Sequence, residues 1–459
     1  MSFAFKLAAV AAAVAVLSCS RAATIAVDWD SAVGPVKPVN GVGQPPMYGG
    51  PREFKMMHYL KEAGIPYSRL HDVGGRFGGG VYVDIPNVFP DFDADENLES
   101  SYLFDYTDAL MKSLVDNGVE PFYRLGVTIE NAVPFGFKPR RIHPPKDYMK
   151  WARICEHVIR HYNEGWAGGF KMNVTYWEIW NEPEGVSTLW LAPFDEYIKF
   201  YEVTSRYLKE KFPHLKFGGF GAVGFYAAVD AQITPLASAP LKRQYYHNCA
   251  IKFIKTAQER KFPLDFFSFH SYSDPREADQ QIHYADWLLN EHGFTRDRTE
   301  RIFDEWCAWP GVSCLGTPTQ AAAIAEMLIR LQKGPCASAM IYDARCGVGP
   351  YSPLFNPLTL KPHKAYYAFM AFNELRKLGT EVKSSCDHKT VHCAAAKGPG
   401  GRAVMISNFN MDEDVPVSLE DAESAEAWIV DADRTWEKCK FPAAVPRSSV
   451  LLVKWTGAK

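Results

Sequence analysis

Residues 176–183 read Tyr-Trp-Glu-Ile-Trp-Asn-Glu-Pro, and this stretch carries the strongest structural signal in the chain. Isoleucine and aromatic residues favour a β-strand, whereas Pro183 has no backbone N–H to donate to a continuing ladder. The pattern therefore predicts a buried strand that ends abruptly, with Asn181 and Glu182 at its carboxyl-terminal lip.

A second carboxylate follows a similar strand downstream, where residues 301–306 read Arg-Ile-Phe-Asp-Glu-Trp. Two carboxylates held at strand ends over one cleft are what cleavage of a glycosidic bond requires. Glu182 and Glu305 are therefore the candidate catalytic pair, and chemistry of this kind predicts neither a cofactor nor a metal.

Between residues 39 and 375, short apolar strand patterns alternate with longer segments of helical spacing. The strand patterns lie at residues 39–42, 67–73, 120–127, 174–181, 216–222, 264–272, 301–306 and 337–344. The helical segments lie at residues 104–117, 147–162, 194–211, 246–260, 279–292 and 319–332. Eight strands alternating with helices predict an α/β fold, a closed parallel (β/α)8 TIM barrel.

After Leu378 the helical spacers disappear, and short strand patterns follow one another at residues 391–396, 402–409, 415–419, 425–430 and 450–455. This pattern is typical of a small antiparallel β-sandwich, and an isolated strand at residues 24–28 is expected to join it. The predicted organisation is a signal peptide at 1–22, an N-terminal strand of the sandwich at 23–38, the catalytic barrel at 39–377 and the β-sandwich domain at 378–459.

Composition excludes some functional classes. Of the 459 residues, 47% are hydrophobic, which is enough to fill a large core. The formal net charge of -3 gives no electrostatic case for binding nucleic acid or an anionic membrane.

The first residues predict export through a signal peptide. Lys6 precedes an apolar run at 7–17, and small residues at 20–22 offer a cleavage point. This run is too short to span a bilayer as a helix, and no later segment reaches that length. A lipoprotein acylation site at Cys19 is the alternative, so a periplasmic or extracellular protein, soluble or lipid-tethered, is expected.

Nine cysteines follow the predicted leader, an odd number that leaves at least one thiol unpaired within a monomer. Cys307 with Cys314 and Cys386 with Cys393 are candidate local disulfides, although the sequence leaves the connectivity open. The absence of Cys-x-x-Cys and His-Glu-x-x-His patterns argues against a zinc site.

Several motifs, in this order, resemble those of a known family. Residues 39–43 read Val-Asn-Gly-Val-Gly, residues 68–72 read Ser-Arg-Leu-His-Asp, and the Asn-Glu-Pro ending is followed by His270-Ser271-Tyr272 and Asp304-Glu305-Trp306. Together they resemble the retaining glycoside hydrolases that fold as (β/α)8 barrels, and narrow to glycoside hydrolase family 39, which contains β-xylosidases and α-L-iduronidases. The resemblance covers essentially the whole mature chain and implies a barrel with an appended β-sandwich.

The resemblance assigns Glu182 as the acid/base and Glu305 as the nucleophile, with their carboxyl groups about 5–5.5 Å apart. Asn181 matches the amide that bonds the sugar hydroxyl beside the anomeric carbon, and Tyr272 matches the residue that hydrogen-bonds the nucleophile. The further candidates for substrate binding at the strand ends are Arg69, His71, His270, Tyr342 and Asp343.

Three neighbouring carboxylates compete with this assignment. Glu178 lies deeper in its strand and is expected to pair with Arg69 or Arg124 inside the barrel. Glu184 lies beyond the proline and is expected to be solvated or at the substrate rim. Strand alternation predicts that Asp304 points away from the nucleophile.

One departure from the family pattern concerns the sugar floor. Related barrels commonly present a tryptophan after the eighth strand, but residues 340–345 here read Met-Ile-Tyr-Asp-Ala-Arg, which puts Tyr342 in that place. Arg345 could pair with a uronate carboxylate, yet pairing with Asp343 is the simpler interpretation. The glycine-rich stretch at 74–80 lacks the spacing of a nucleotide site and predicts a flap beside the cleft.

The sequence thus predicts an exported retaining glycoside hydrolase that acts from chain ends on xyloside- or uronide-type glycans, with an oligosaccharide or glycoside as its substrate. A carbohydrate-binding barrel without turnover is the alternative. The sugar, the anomeric configuration and the oligomeric state are open at this point.

Overall fold

A computed structural model describes residues 22–47, 54–73, 82–128, 142–185, 189–228 and 239–457. The predicted signal peptide, apart from its last residue, and the predicted flap at 74–80 lie outside these ranges.

The eight predicted barrel strands are confirmed as one closed parallel barrel in chain order. A first strand, β1 (Ala23–Pro35), lies outside it. The barrel strands are β2 (Gly41–Gly43), β3 (Tyr67–Leu70), β4 (Glu120–Leu125), β5 (Tyr176–Ile179), β6 (Lys216–Ala222), β7 (Phe266–Ser271), β8 (Glu300–Trp306) and β9 (Ser338–Ile341). Pairing of β9 with β2 closes the ring.

Helices follow the barrel strands, and several carry clear start signals. Asp147, Asp274 and Thr317 accept hydrogen bonds from backbone N–H groups of the following first turns, and prolines occupy the first position after the last two. The described helices are α1 (His58–Glu62), α2 (Ile85–Val88), α3 (Asp105–Asp116), α4 (Tyr148–Asn163), α5 (Phe194–Lys211), α6 (Leu241–Arg260), α7 (Pro275–Glu291), α8 (Pro318–Lys333) and α9 (Tyr366–Leu378).

The barrel interior is layered because side chains along a strand alternate with a period of two. At the amino-terminal end, one inward residue from each of five strands forms an apolar plug: Phe122, Tyr176, Phe266, Ile302 and Met340. Two residues further along the first four of these strands, the inward positions are polar and fully buried: Arg124, Glu178, Ser268 and Asp304. The carboxyl-terminal end of the barrel lies above this polar layer. The residues beneath that end are therefore polar or charged and fully buried.

The C-terminal region forms a nine-stranded sheet together with β1. Its other strands are β10 (Thr380–Cys386), β11 (Val391–Gly398), β12 (Gly401–Asn408), β13 (Val415–Leu419), β14 (Glu426–Val430), β15 (Thr435–Cys439), β16 (Ala444–Val445) and β17 (Ser449–Trp455). The order is β15-β14-β17-β12-β11-β10-β1-β13-β16. β1 pairs antiparallel with β10 and parallel with β13.

Residues from both ends of this sheet share one apolar cluster, among them Ile25, Val415, Ile429 and Leu451. Strands from opposite ends therefore enclose a common core, which is the packing of a sandwich. Strands β10, β15 and β16 were not predicted, because their sequences are polar or very short: β10 reads Thr-Glu-Val-Lys-Ser-Ser-Cys and β15 Thr-Trp-Glu-Lys-Cys.

The candidate disulfides do not form, because all nine cysteines in the described residues are free thiols. The register of β10 against β11 sets Val382 opposite Ala395, so the same offset places Cys393 opposite residue 384 and two positions away from Cys386. Cys307 is fully buried, whereas Cys314 is half-buried in the short turn at 312–314.

Within the same ranges, none of the helices combines the length and the apolar character needed to cross a membrane.

Candidate active site

Glu182 and Glu305 meet at the carboxyl-terminal end of the barrel. An oxygen of each carboxyl group and a ring nitrogen of His270 all lie within 4.8 Å of one another. The side chain of Glu182 is 21% exposed and that of Glu305 is 8% exposed. The pair therefore lies in one partly buried pocket, with Glu182 nearer to solvent.

Glu182 is positioned by an irregular backbone immediately after β5. Trp180 and Glu182 adopt left-handed conformations, with φ of 73° and 44°. Such conformations cost non-glycine residues about 1–2 kcal/mol each and require support from their surroundings. Here the backbone N–H of Glu182 faces two carbonyls at the end of β6, those of Phe220 at 3.2 Å and Gly221 at 3.1 Å, which anchor the turn.

A β-bulge in β8 corrects the prediction for Asp304. The register of β8 shifts against both β7 and β9 near this residue. A bulge inserts one extra residue, so two successive side chains can point the same way. Asp304 and Glu305 both reach Arg69, at 2.9 Å and 3.0 Å, and Asp304 is fully buried. Strand alternation was therefore the wrong guide at this position.

Arg69, at the end of β3, is the centre of the charge network. Its Nη1 lies 3.0 Å from Glu305 Oε2, and its Nη2 donates to Asn181 Oδ1 at 2.6 Å. Its Nε lies 2.8 Å from Glu178 Oε2 and 2.9 Å from Asp304 Oδ2. Burial lowers the pKa of Arg69, but the surrounding carboxylates outweigh it and raise that pKa well above the usual range. One fixed guanidinium thus orients both the Glu305 carboxylate and the Asn181 amide.

His270 connects the two candidate catalytic carboxylates. Its Nδ1 lies 2.7 Å from Glu182 Oε1 and 3.7 Å from Glu305 Oε2, and its Nε2 lies 3.5 Å from Asp304 Oδ1. Burial lowers the pKa of this imidazole, yet the negative charges around it dominate and raise the pKa well above its usual value. This environment favours the protonated imidazole, with Nδ1 in position to donate to Glu182 Oε1.

Opposing effects act on the pKa of the Glu305 carboxyl group. Burial raises the pKa of its carboxyl, as does the nearby Glu182, whereas His270, Arg69 and the hydroxyl of Tyr272 lower it; the net pKa is raised. Tyr272 donates its O–H to Glu305 Oε1. Its own backbone N–H donates to the hydroxyl of Tyr226 at 2.9 Å, so the tyrosine is itself fixed.

Three tyrosine rings form one side of the pocket. Tyr342 lies 6.2 Å from Tyr272 and 6.1 Å from Tyr351, and Tyr351 lies 4.7 Å from Tyr272, all between ring centroids. The Tyr342 hydroxyl donates to Asp72 Oδ2 at 2.8 Å. Tyr342, which stands where related barrels present a tryptophan, therefore lies next to Tyr272 as part of an aromatic wall.

Two predicted substrate-binding residues are engaged within the protein. Both oxygens of the buried Asp343 accept hydrogen bonds from its own loop: Oδ2 from Arg345 Nε at 2.8 Å, Oδ1 from Ser352 at 3.2 Å. Asp343 thus braces this loop, and Arg345 pairs with Asp343 as in the simpler interpretation. His71 is buried 3.3 Å from Asp72; burial and nearby arginines lower its pKa well below its usual value.

Two further carboxylates lie near Glu182 in the sequence. The prediction for Glu178 is confirmed, and the prediction for Glu184 is wrong. Glu178 is buried and bound to Arg69, as expected. Glu184 is not solvated: it is 1% exposed, and its Oε1 accepts the Val223 N–H at 2.7 Å. Burial raises the pKa of Glu184 to about 8. The chain folds back after Pro183, so this side chain enters the interior.

The spacing of Glu182, His270 and Glu305 would also suit a cation. However, Arg69 and the cationic His270 already supply positive charge at hydrogen-bonding distance from the two carboxylates. A charged imidazole has no lone pair for a metal. The donor set therefore fits a pair of carboxylates at work on an organic substrate better than a metal centre.

Four residues of this site were missed by sequence reasoning: Asp304, Tyr351, Tyr226 and Asp72. A bulge cannot be recognised from composition, so Asp304 gave no usable signal. Tyr351 lies in a turn after β9 and Tyr226 in a short helical segment after β6, where one sequence gives little indication of proximity. Asp72 could have been found, because it directly follows His71 at a strand end.

The sequence of the chain is similar to those of known proteins. The profile of the family described as Glycosyl hydrolases family 39 matches residues 23–310. A β-xylosidase of Geobacillus stearothermophilus is 28% identical over 235 residues, which are 47% of this chain and 40% of that protein. A β-xylosidase of Caldicellulosiruptor saccharolyticus is 25% identical over 389 residues, 79% of this chain and 72% of that protein. The chain thus spans less than half the length of the first of these relatives.

Solved structures share the fold. A glucosidase from Croceicoccus marinus superposes with a TM-score of 0.72 at 17% identity, covering 95% of this chain and 100% of its own. A monomeric β-xylosidase from Caulobacter crescentus CB15 superposes with a TM-score of 0.64 at 18% identity, covering 94% of this chain and 99% of its own. At these identities the superpositions establish the architecture alone.

Proposed function

Because the chain belongs to glycosyl hydrolases family 39, we propose that it hydrolyses O-glycosidic bonds by double displacement, with retention of anomeric configuration. The observation that carries the proposal is the approach of Glu182 and Glu305 oxygens to within 4.8 Å. Retaining enzymes hold their carboxyl groups about 5–5.5 Å apart, whereas inverting enzymes need about 6.5–9.5 Å to admit a water molecule. The spacing supports retention.

In the first step, an oxygen of Glu305 attacks the anomeric carbon as the bond to the leaving oxygen breaks. Glu182 transfers its proton to that oxygen, and a glycosyl ester of Glu305 remains. In the second step, Glu182 takes a proton from water, the water oxygen attacks the anomeric carbon, and the ester bond breaks. Glu305 leaves as a carboxylate, so both groups return to their starting states.

The network around the pair supports each role. Arg69 and Tyr272 direct hydrogen bonds at Glu305, which keeps it ionised and fixes its orientation. His270 Nδ1 lies 2.7 Å from Glu182 Oε1 and holds that carboxyl in place. Asn181, held by Arg69, is available to bond the sugar hydroxyl next to the anomeric carbon.

We place the substrate among β-xylosides, attacked from the non-reducing end. The curated relatives named above are β-xylosidases. A uronide is the weaker candidate because Arg345, the cation considered for its carboxylate, has its Nε bonded to Asp343 at 2.8 Å.

Nuclear magnetic resonance of a reacting mixture tests this proposal. With an aryl β-xyloside, the first xylose released is expected to be the β-anomer, before mutarotation produces the α-anomer. A xylo-oligosaccharide labelled at its reducing end should lose unlabelled xylose first. Release of the α-anomer first would refute the retaining mechanism. A panel with α-iduronide, β-glucoside, β-galactoside and α-arabinoside would report the sugar preference.

We also propose that the protein is exported, on the strength of Lys6 and the apolar run at 7–17. Cell fractionation of the full chain should find it outside the cytoplasm, shortened at its amino end. A Cys19→Ala variant separates the two routes: loss of membrane association would indicate lipid tethering. Full-length protein retained in the cytoplasm would count against export.

A further inference from the structure

Beneath the pocket, two carboxyl groups compete for one N–H. Glu178 Oε2 and Asp304 Oδ2 lie 2.8 Å and 2.9 Å from Arg69 Nε, and both side chains are fully buried. Nε carries one hydrogen, and it is directed at Glu178. Neither oxygen of Asp304 receives a well-directed hydrogen bond from the described residues. A buried aspartate in this position needs a donor.

A count of the charges around Arg69 indicates which group supplies the hydrogen-bond donor to Asp304. Among the residues that the structure describes, the network around Arg69 contains two basic groups, Arg69 and His270, and four carboxyl groups, those of Glu178, Glu182, Asp304 and Glu305. The neighbouring Arg124 is matched by Asp84 at 2.6 Å, with both side chains fully buried, and adds nothing to the balance. With the acid/base protonated and the nucleophile ionised, only one further carboxylate can be balanced. A second unbalanced charge in this dry interior would be costly.

We propose that Glu178 is a carboxylic acid in the working enzyme and donates its proton to Asp304. Asp304 then carries the balancing negative charge and holds His270 cationic, which makes Asp304 a positioning residue for the acid/base. The part that concerns catalysis rests on the proposed function; the location of the proton does not.

The surroundings of Glu178 support this assignment. Ser268 Oγ donates to Glu178 Oε1 at 2.6 Å, which leaves Oε2 on the Asp304 side. Burial raises the pKa of Glu178 to about 8, with a further contribution from Asp304 that Arg69 opposes. Burial also raises the pKa of Asp304, but Arg69 and His270 outweigh it and hold that pKa below its usual value.

Two tyrosines of α5, Tyr197 and Tyr201, also interact electrostatically with Glu178. Burial raises the pKa of both well above their usual value, so they are neutral. The buried pair therefore keeps one proton and one negative charge throughout the cycle. When Glu305 becomes a neutral ester, Glu182 becomes ionised, and the total charge of the network is unchanged.

Infrared difference spectroscopy tests the location of the proton without reference to turnover. At about pH 6 the wild type should show the carbonyl band of a buried carboxylic acid that Glu178→Gln lacks. Asp304→Asn should lose the same band, because the amide donates to Glu178 in place of the shared proton. Glu184→Gln is the matched control, since it removes a different buried acid and should leave this band in place.

Kinetics with an activated aryl glycoside test the positioning role. Glu178→Gln imitates the protonated acid and should lower kcat by at most about threefold. Asp304→Asn should lower kcat by about 10- to 100-fold, because His270 loses the charge that supports it in the second step. The same variant should lower kcat/KM less, since this ratio reports the first step.

A wild-type spectrum identical to that of Glu178→Gln in the carboxylic-acid region would overturn the proposal, because Glu178 would then be an ordinary ionised partner of Arg69. Equal kinetic losses in the two variants would overturn the positioning role. If Glu178→Gln does not fold, the spectrum of Asp304→Asn still tests the proposal, because Glu178 is present in that variant. Persistence of the carboxylic-acid band there would contradict a proton shared with Asp304. A protein without glycosidase activity would refute the proposed function and leave the infrared result standing.

Discussion

Glu305→Ala is expected to abolish turnover of every glycoside, with kcat falling by on the order of 10⁴- to 10⁶-fold. The reason is that Glu305 is the carboxylate proposed to form the glycosyl ester. Asp304, its neighbour, is fully buried beneath it beside Arg69. The measurement is release of an aryl leaving group from the purified variant, compared with wild type at saturating substrate.

Glu300→Gln is the matched control for this substitution. Glu300 lies at the other end of the same strand, where it binds Lys216 and the hydroxyl of Tyr176 away from the pocket. That variant should keep kcat within about threefold of wild type, although it can lower thermal stability. Substantial turnover by a well-folded Glu305→Ala preparation would show that the nucleophile lies elsewhere.

The pH dependence of the wild type tests the same residue. Burial and Glu182 raise the pKa of Glu305 above its usual value, even against the opposing effects of His270 and Arg69. Because the nucleophile must be ionised, kcat/KM is lost as pH falls through this raised pKa. The acidic limb of the profile is therefore expected above the range of an ordinary glutamate. An acidic limb at or below that range would contradict the assignment.

Glu182→Ala is expected to separate substrates by the quality of their leaving groups. For a poor leaving group, kcat/KM should fall by about 10²- to 10⁴-fold, the usual contribution of a general acid. A dinitrophenyl glycoside leaves without protonation, so its kcat/KM should fall far less. The measurement is kcat/KM over a series of aryl glycosides. Equal losses across that series would exclude Glu182 as the proton donor.

Azide provides an internal contrast between the two variants. In Glu182→Ala it can attack the glycosyl ester from the side of the missing base, giving a glycosyl azide of retained configuration. In Glu305→Ala it can replace the nucleophile itself, giving the inverted product. Identical configurations from both variants would mean that the two glutamates do not flank the anomeric carbon as proposed.

The sequence by itself predicted the fold and the candidate pair. Strand and helix periodicity gave eight alternating units, and each observed barrel strand overlaps its predicted range. The end of β5 was readable because Pro183 stops the ladder, which places Asn181 and Glu182 at the lip. These are local signals, carried by residue type and by spacings of two and 3.6 residues. They can be recognised without knowing which residues become neighbours in the folded protein.

Only the tertiary structure decided which side chains become neighbours in the site. The bulge in β8 lets Asp304 and Glu305 both point inward, the fold after Pro183 buries Glu184, and a loop brings Tyr351 to the aromatic wall. None of these is a local property, because each depends on register between strands or on the path of a loop. The protonation states of the network depend on burial and on the summed charges around Arg69, which exist only once several strands meet in one barrel.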